Sequence, residues 1–139
     1  IALDTGMSSF IIAFYGDFLR YAAITTAEDS PELDKVEFRM DIFKAFTEGY
    51  LKTASAFLTP IEIENLPYAA TLFPNMQMVR FFADYLNGDT YYKIQYPEHN
   101  LVRTKNQLAL LKSAEAHIPE MEAFIQEQLA KKLCRLKNK

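Results

Sequence analysis

Thr59-Pro-Ile-Glu62-Ile-Glu-Asn-Leu-Pro67-Tyr-Ala-Ala-Thr-Leu-Phe-Pro74-Asn-Met-Gln77-Met-Val-Arg80-Phe-Phe-Ala-Asp84-Tyr-Leu-Asn-Gly88 is the stretch on which the fold turns. It opens with a capping box. The Thr59 hydroxyl can accept the amide hydrogen three residues on, Glu62 can reach back to the Thr59 amide, and Pro60 has no amide hydrogen to leave unpaired. Pro67 restarts the chain into a longer helix, and Gly88 is a natural residue to end it, since glycine accepts the left-handed backbone there. Pro74 falls inside that helix and predicts a kink or a delayed start, because its ring removes a donor and crowds the preceding turn. Leu72, Met76, Val79, Ala83 and Leu86 recur at three and four residues and predict an inward apolar stripe.

The same period extends to both sides. Ile11, Phe14, Phe18 and Tyr21 predict one buried face of a first helix, and an acidic loop follows from Thr25 to about Phe38, broken by Ser30-Pro31. A second helix over about 41–58 carries Phe43, Phe46, Tyr50, Ala54 and Phe57 along one stripe. Beyond Gly88, residues 89–97 are rich in tyrosine and predict irregular or briefly extended backbone. Helices over about 100–116 and 119–136 complete the chain, the last with Met121, Ile125, Leu129 and Leu133 on one side. No internal repeat, low-complexity run or linker divides the sequence. The expected class is all-α, a helical bundle in one domain over residues 1–139.

Composition narrows the chemistry. Half of the 139 residues are apolar and 14% are aromatic, which argues for a folded chain. The net charge of −3 gives no overall basic field for nucleic acid. Lys131, Lys132, Arg135, Lys137 and Lys139 form a basic run, which reads first as a solvated helix end favoured by the macrodipole and second as a patch for an anionic partner. Cys134 is the only cysteine, so no intrachain disulfide or CxxC zinc site can form, in keeping with a reducing, cytoplasmic setting. Asp17 and Arg20 interrupt the most apolar run, and no basic segment precedes Phe10 to Phe14, so neither a membrane span nor a signal peptide is expected. Gly6, Gly16, Gly49 and Gly88 are too scattered for a phosphate-cradling loop. His99 and His117 lack zinc spacing and are expected at the surface or as caps. No Gly-x-Ser-x-Gly elbow presents a nucleophile.

What remains is polar chemistry around Gly88. On a helix, Gln77, Arg80 and Asp84 form a polar stripe opposite Met76, Val79 and Ala83, and Asp89, Tyr91, Tyr92 and Tyr96 follow at once. A guanidinium, carboxylates and phenol rings converging at a helix end can bind a sugar, with charged hydrogen bonds for hydroxyls and rings for the apolar face. The same residues can equally be an intrahelical Arg80–Asp84 pair with tyrosines at the edge of a core. Residue types alone leave both readings open.

Five short motifs stand in order: Gly16-Asp17-Phe-Leu-Arg20, Ala45-Phe46-Thr47-Glu48-Gly49-Tyr50, Leu58-Thr59-Pro60, Arg80-Phe-x-x-Asp84-Tyr85-x-x-Gly88-Asp89-x-Tyr91, and Tyr96-Pro97-Glu98-His99-Asn100-Leu101-x-Arg103. Together they resemble the C-terminal third of the N-acetylhexosamine kinases, in the aminoglycoside phosphotransferase superfamily, some relatives of which carry a mucin-desulfating label. The resemblance spans Ile1 to about Phe124. It implies the helical part of the large lobe of a kinase-like fold, in a family that phosphorylates the anomeric hydroxyl of N-acetylglucosamine or N-acetylgalactosamine with ATP and magnesium.

Two departures bear on catalysis. The family reads Ile-Asp-Leu-Asp-Thr-x-Met where this chain has Ile1-Ala2-Leu3-Asp4-Thr5-Gly6-Met7, so Ala2 stands at the expected magnesium ligand. A methyl group cannot coordinate magnesium, which requires oxygen ligands; Asp4 could do so only if the backbone shifted by two residues. The family's Asp-Phe-Gly-Asp becomes Phe14-Tyr15-Gly16-Asp17, leaving Asp17 to anchor the catalytic loop. The family's nucleotide lobe and His-Gly-Asp loop lie upstream of the part represented here. The resemblance therefore implies a truncated or degenerate relative with no catalytic or metal residue and no cofactor for this chain alone. Arg80, Asp89 and Tyr92 would retain weak amino-sugar contacts, with Asp84 holding Arg80. Without the catalytic core, parts of Ile11, Phe14, Phe18, Phe73 and Phe81 should be uncovered, so a homodimer is expected, with neither nucleic acid nor membrane as partner. The rival reading is a helical interaction module that binds no sugar.

Overall fold

α4, Leu66–Leu86, is the helix against which both α1, Ile11–Ala22, and α5, His99–Ala116, pack. The structure, a computed structural model, describes residues 11–137. The remaining helices are α2, Met40–Ala54, the five-residue α3, Pro60–Glu64, and α6, Ile118–Lys137, which lies against α2. Among the described residues there is no strand, only an isolated bridge between Ile24 and Phe38, and the class is all-α. No helix there is long and apolar enough to cross a membrane.

The local signals act as expected at α3 and at the end of α4. Thr59 accepts from the Glu62 amide at 3.4 Å, and Glu62 accepts from the Thr59 amide at 2.7 Å, closing the capping box. α4 is helical on both sides of the buried Pro74, so the proline does not delay its start.

The core forms where Tyr15 and Leu19 of α1, Phe43 and Leu51 of α2, Leu66 and Ala69 of α4, Leu110 and Ala114 of α5, and Met121 and Ile125 of α6 meet. Each fully buried leucine there contributes roughly 1.5–3 kcal/mol relative to exposure. Tyr15 brings its hydroxyl inside against Thr47 Oγ1 at 2.5 Å, and burial pushes its phenol pKa up.

Several inward faces differ from the predicted ones. α1 turns Tyr15, Gly16, Leu19 and Arg20 inward, whereas Phe14 and Phe18 stand 50% and 46% exposed and Tyr21 is exposed too. The cause is Gly16. A Cβ there would lie 2.7 Å from the Ala69 carbonyl oxygen, so the bare glycine lets α1 approach α4 on that face. Phe18 is left on the flank, stacked on Phe46 at 4.0 Å. The side chain of Ile11 is outside the described ones. In α2 the buried set is Phe43, Thr47, Leu51 and Ala54; the helix ends at Ala54, so Phe57 lies beyond it and is exposed. Leu133 of α6 is likewise exposed.

The largest correction concerns α4. Its predicted inward stripe points out: Met76 and Ala83 are exposed, Val79 is 55% exposed and Leu86 67%, and Leu72 is half-buried. The second half instead buries Pro74, Phe81 and Asp84. Phe81 and Asp84 face the start of α5, where Asn100 offers a hydrogen bond to Asp84 and Arg103 a guanidinium over the Phe81 ring. Phe81, expected to be uncovered, is therefore buried, and Phe73 is half-buried.

Candidate functional site at the end of α4

The end of α4 is closed by a Schellman motif. Asp89 N–H donates to the Asp84 carbonyl at 2.8 Å and Gly88 N–H to the Tyr85 carbonyl at 3.3 Å. Gly88 takes φ +86° and Asp89 φ +59°, a left-handed pair that costs glycine little and that aspartate tolerates better than most residues. The chain thereby reverses, and residues 91–92 lie back against α4.

The Asp84 side chain holds this return. Its carboxylate accepts the Tyr91 amide at 2.9 Å, the Tyr92 amide at 3.0 Å and Asn100 Nδ2 at 2.8 Å. The Tyr92 N–H, aided by the Tyr91 and Thr90 amides and by Asn100, holds the carboxyl below its usual range against the opposing effect of burial. Asn100 also donates to Asp89 at 2.9 Å, so one amide group spans two carboxylates. Arg103 donates to Asn100 Oδ1 at 2.9 Å and to the Lys93 carbonyl at 3.2 Å while lying over the Phe81 ring. Tyr92 packs on Phe81, and its hydroxyl accepts from Gln77 at 3.1 Å.

Above this network lies an open depression of ≈ 320 Å³, lined by Arg80, Ala83, Asp84, Asn87, Thr90, Tyr91 and Tyr92. Arg80 and Tyr92, predicted as sugar contacts, both line it. Asp89 does not, since its carboxylate is turned to Asn100. Asp84 does not hold Arg80 as expected. It is committed to the loop amides and Asn100, and the guanidinium instead approaches the Tyr91 ring at 6.0 Å. Asp17 is away from the lining and pairs with Arg20 at 3.3 Å, which in turn pairs with Glu28. Ala2 and Asp4 lie outside the described residues. Among those residues no group of three or more His, Cys, Asp or Glu side chains could hold a metal ion.

Two residues have roles that sequence reading missed. Asn100 and Arg103 lie in the last of the five motifs, yet spacing gave them no task. His99, expected at the surface or as a cap, is buried; its Nδ1 accepts the Gln95 amide at 3.1 Å, so the hydrogen sits on Nε2, 2.9 Å from Asp29. The Pro97 turn beside it was the misleading signal. Chemically, the depression offers an exposed guanidinium, an amide, a hydroxyl and a phenol ring, a set suited to binding a hydroxylated ring. No family model matches the chain.

Proposed function

We propose that this chain is the helical, sugar-facing part of an N-acetylhexosamine-kinase-like protein, and that it performs no phosphoryl transfer of its own. The observation that supports this reading is the grouping of Arg80, Tyr91 and Tyr92 around one depression on a hydrogen-bonded floor built from Asp84 and Asn100. Arg80 would donate to sugar hydroxyls, Tyr91 would lie against the apolar ring face, and Asp84 would position Tyr91 by fixing the loop. The resemblance supplies the sugar class, and Ala2 at the expected magnesium ligand argues against catalysis. Calorimetric titration with N-acetylglucosamine and N-acetylgalactosamine tests it. Weak binding lost in Arg80→Ala is expected; equal binding by both proteins removes Arg80 from the site. A coupled ADP-release assay should show no turnover, and turnover abolished by mutating Asp4 would overturn the inactive reading.

The exposed stripe on α4 favours a second reading, a protein-interaction surface. Met76, Val79 and Leu86, with Tyr68 and Phe82 nearby in sequence, are too many large apolar side chains to leave in water without consequence. A second copy is the simplest cover, since one patch then serves both subunits. Light scattering after size exclusion decides it: a mass near the 16.0 kDa chain at every concentration excludes the dimer.

A further inference from the structure

Between the C-terminal half of α2 and the last turns of α6 lies a second depression, ≈ 290 Å³, with Leu51 and Leu129 as its apolar lining. Four cationic side chains and one carboxylate, that of Glu48, border it. Two are matched: Lys52 lies 3.6 Å from Glu48, and Lys131 lies 2.5 Å from Glu127. The other two are not matched by a carboxylate among the described residues. Lys132 donates to neutral acceptors, the Ser55 carbonyl at 2.9 Å and Ser55 Oγ at 2.7 Å, and Arg135 lines the groove beside it. Two uncompensated positive charges thus share one groove on a chain whose net charge is −3.

The donors left over are specific. An ammonium carries three hydrogens and Lys132 uses two, so one remains. Ser55 Oγ accepts from Lys132 and keeps its own hydrogen to donate. Arg135 adds a planar fork that matches an oxyanion at two points. Carbonyls at the end of α2 would repel an anion, but Lys132 already binds the Ser55 carbonyl and offsets that field. We infer that this α2–α6 groove binds a phosphate dianion, either free or as a small monoester whose organic part lies on Leu51 and Leu129. The groove is separate from the depression at the end of α4, so neither proposal depends on the other.

Amide-resolved NMR titration at ionic strength held constant with chloride tests it, using inorganic phosphate and phenyl phosphate as probes. Both should give saturable shifts at residues 51–55 and 128–135 and leave 84–92 unmoved, and tighter binding of phenyl phosphate would identify a monoester as the better fit. Arg135→Gln, an exposed change that spares the core, should weaken affinity about ten-fold, in keeping with loss of a charged hydrogen bond. Shifts reproduced by chloride alone, no saturation, or unchanged affinity in Arg135→Gln would each overturn the site.

Discussion

The two halves of α5 are built on different chemistry. The first half buries His99, Asn100, Asn106 and Gln107, and the second buries Leu110 and Ala114. Apolar packing in the second half is non-directional and joins the core shared with Met121 and Ile125. The polar side chains of the first half each reach a particular partner. Asn106 Nδ2 donates to the carbonyls of Ala27 at 3.0 Å and Ser30 at 3.2 Å, and His99 accepts the Gln95 amide. One half supplies bulk stability and the other fixes the course of two long loops, 25–38 and 89–97. A helix that looks weakly amphipathic by apolar period is therefore fully engaged, half of it through hydrogen bonds.

Truncating each half should separate these roles. Leu110→Ala is expected to have the largest effect, about 2–5 kcal/mol, because it removes a fully buried side chain and leaves a cavity. Urea unfolding measures it, and a loss below about 1 kcal/mol would mean the apolar half is not a packed core. Asn100→Ala should cost about 1–3 kcal/mol, leaving two carboxylates without their shared donor. Its signature is local: amides of Tyr91 and Tyr92 should exchange faster, while α6 is unchanged. If those amides stay protected, Asn100 is not what secures the loop.

The sequence was legible where a local signal decides the outcome. The Thr59–Glu62 box, the Gly88 stop and the helical class all depend on residues close in the chain, and all appear in the structure. Faces were less legible, because α1 and α4 carry apolar residues on more than one side. Met76 and Val79 compete with Met78 and Phe81, and the winner is chosen by the polar start of α5, which periodicity in α4 cannot reveal. In the sequence Gly16 reads only as part of a motif, yet its missing side chain is what lets that face of α1 approach α4. At the candidate site, Arg80 and Tyr92 could be picked by residue type. The work of Asn100 could not, because it joins Asp84 and Asp89 across sixteen and eleven residues of chain.

Asp84→Asn tests the charge within the polar half. The folded carboxyl titrates below its ordinary value of 3.8, so its stabilisation is present above that pH and disappears as pH falls through the lower folded value. The wild type should lose stability on acidification below about pH 4, and the variant should be less stable at neutral pH but show a flatter acid limb. Parallel acid limbs for the two proteins would mean that the Asp84 charge is not stabilised by the loop amides.

The smallest expected effect is at Gln107, and it tests whether the polar half is uniformly satisfied. Gln107 is buried, its Nε2 donates to Asn106 Oδ1 at 3.3 Å, and its Oε1 has no hydrogen-bond partner. An unpaired buried acceptor costs about 1–3 kcal/mol, whereas one long neutral hydrogen bond contributes about 0.5–1.5 kcal/mol. Methionine keeps the unbranched shape and removes both groups. Methionine also leaves the buried Asn106 Oδ1 without its donor, so one unpaired acceptor replaces another, and Gln107→Met should change stability by no more than about 1 kcal/mol. Asn106 keeps its donors on Ala27 and Ser30, so exchange in the 25–38 loop should not change. A melting temperature well below wild type would mean that Oε1 is satisfied by an ordered water, of the kind that commonly bridges buried polar groups. The polar half of α5 would then be hydrated inside, and its comparison with the dry apolar half would become sharper.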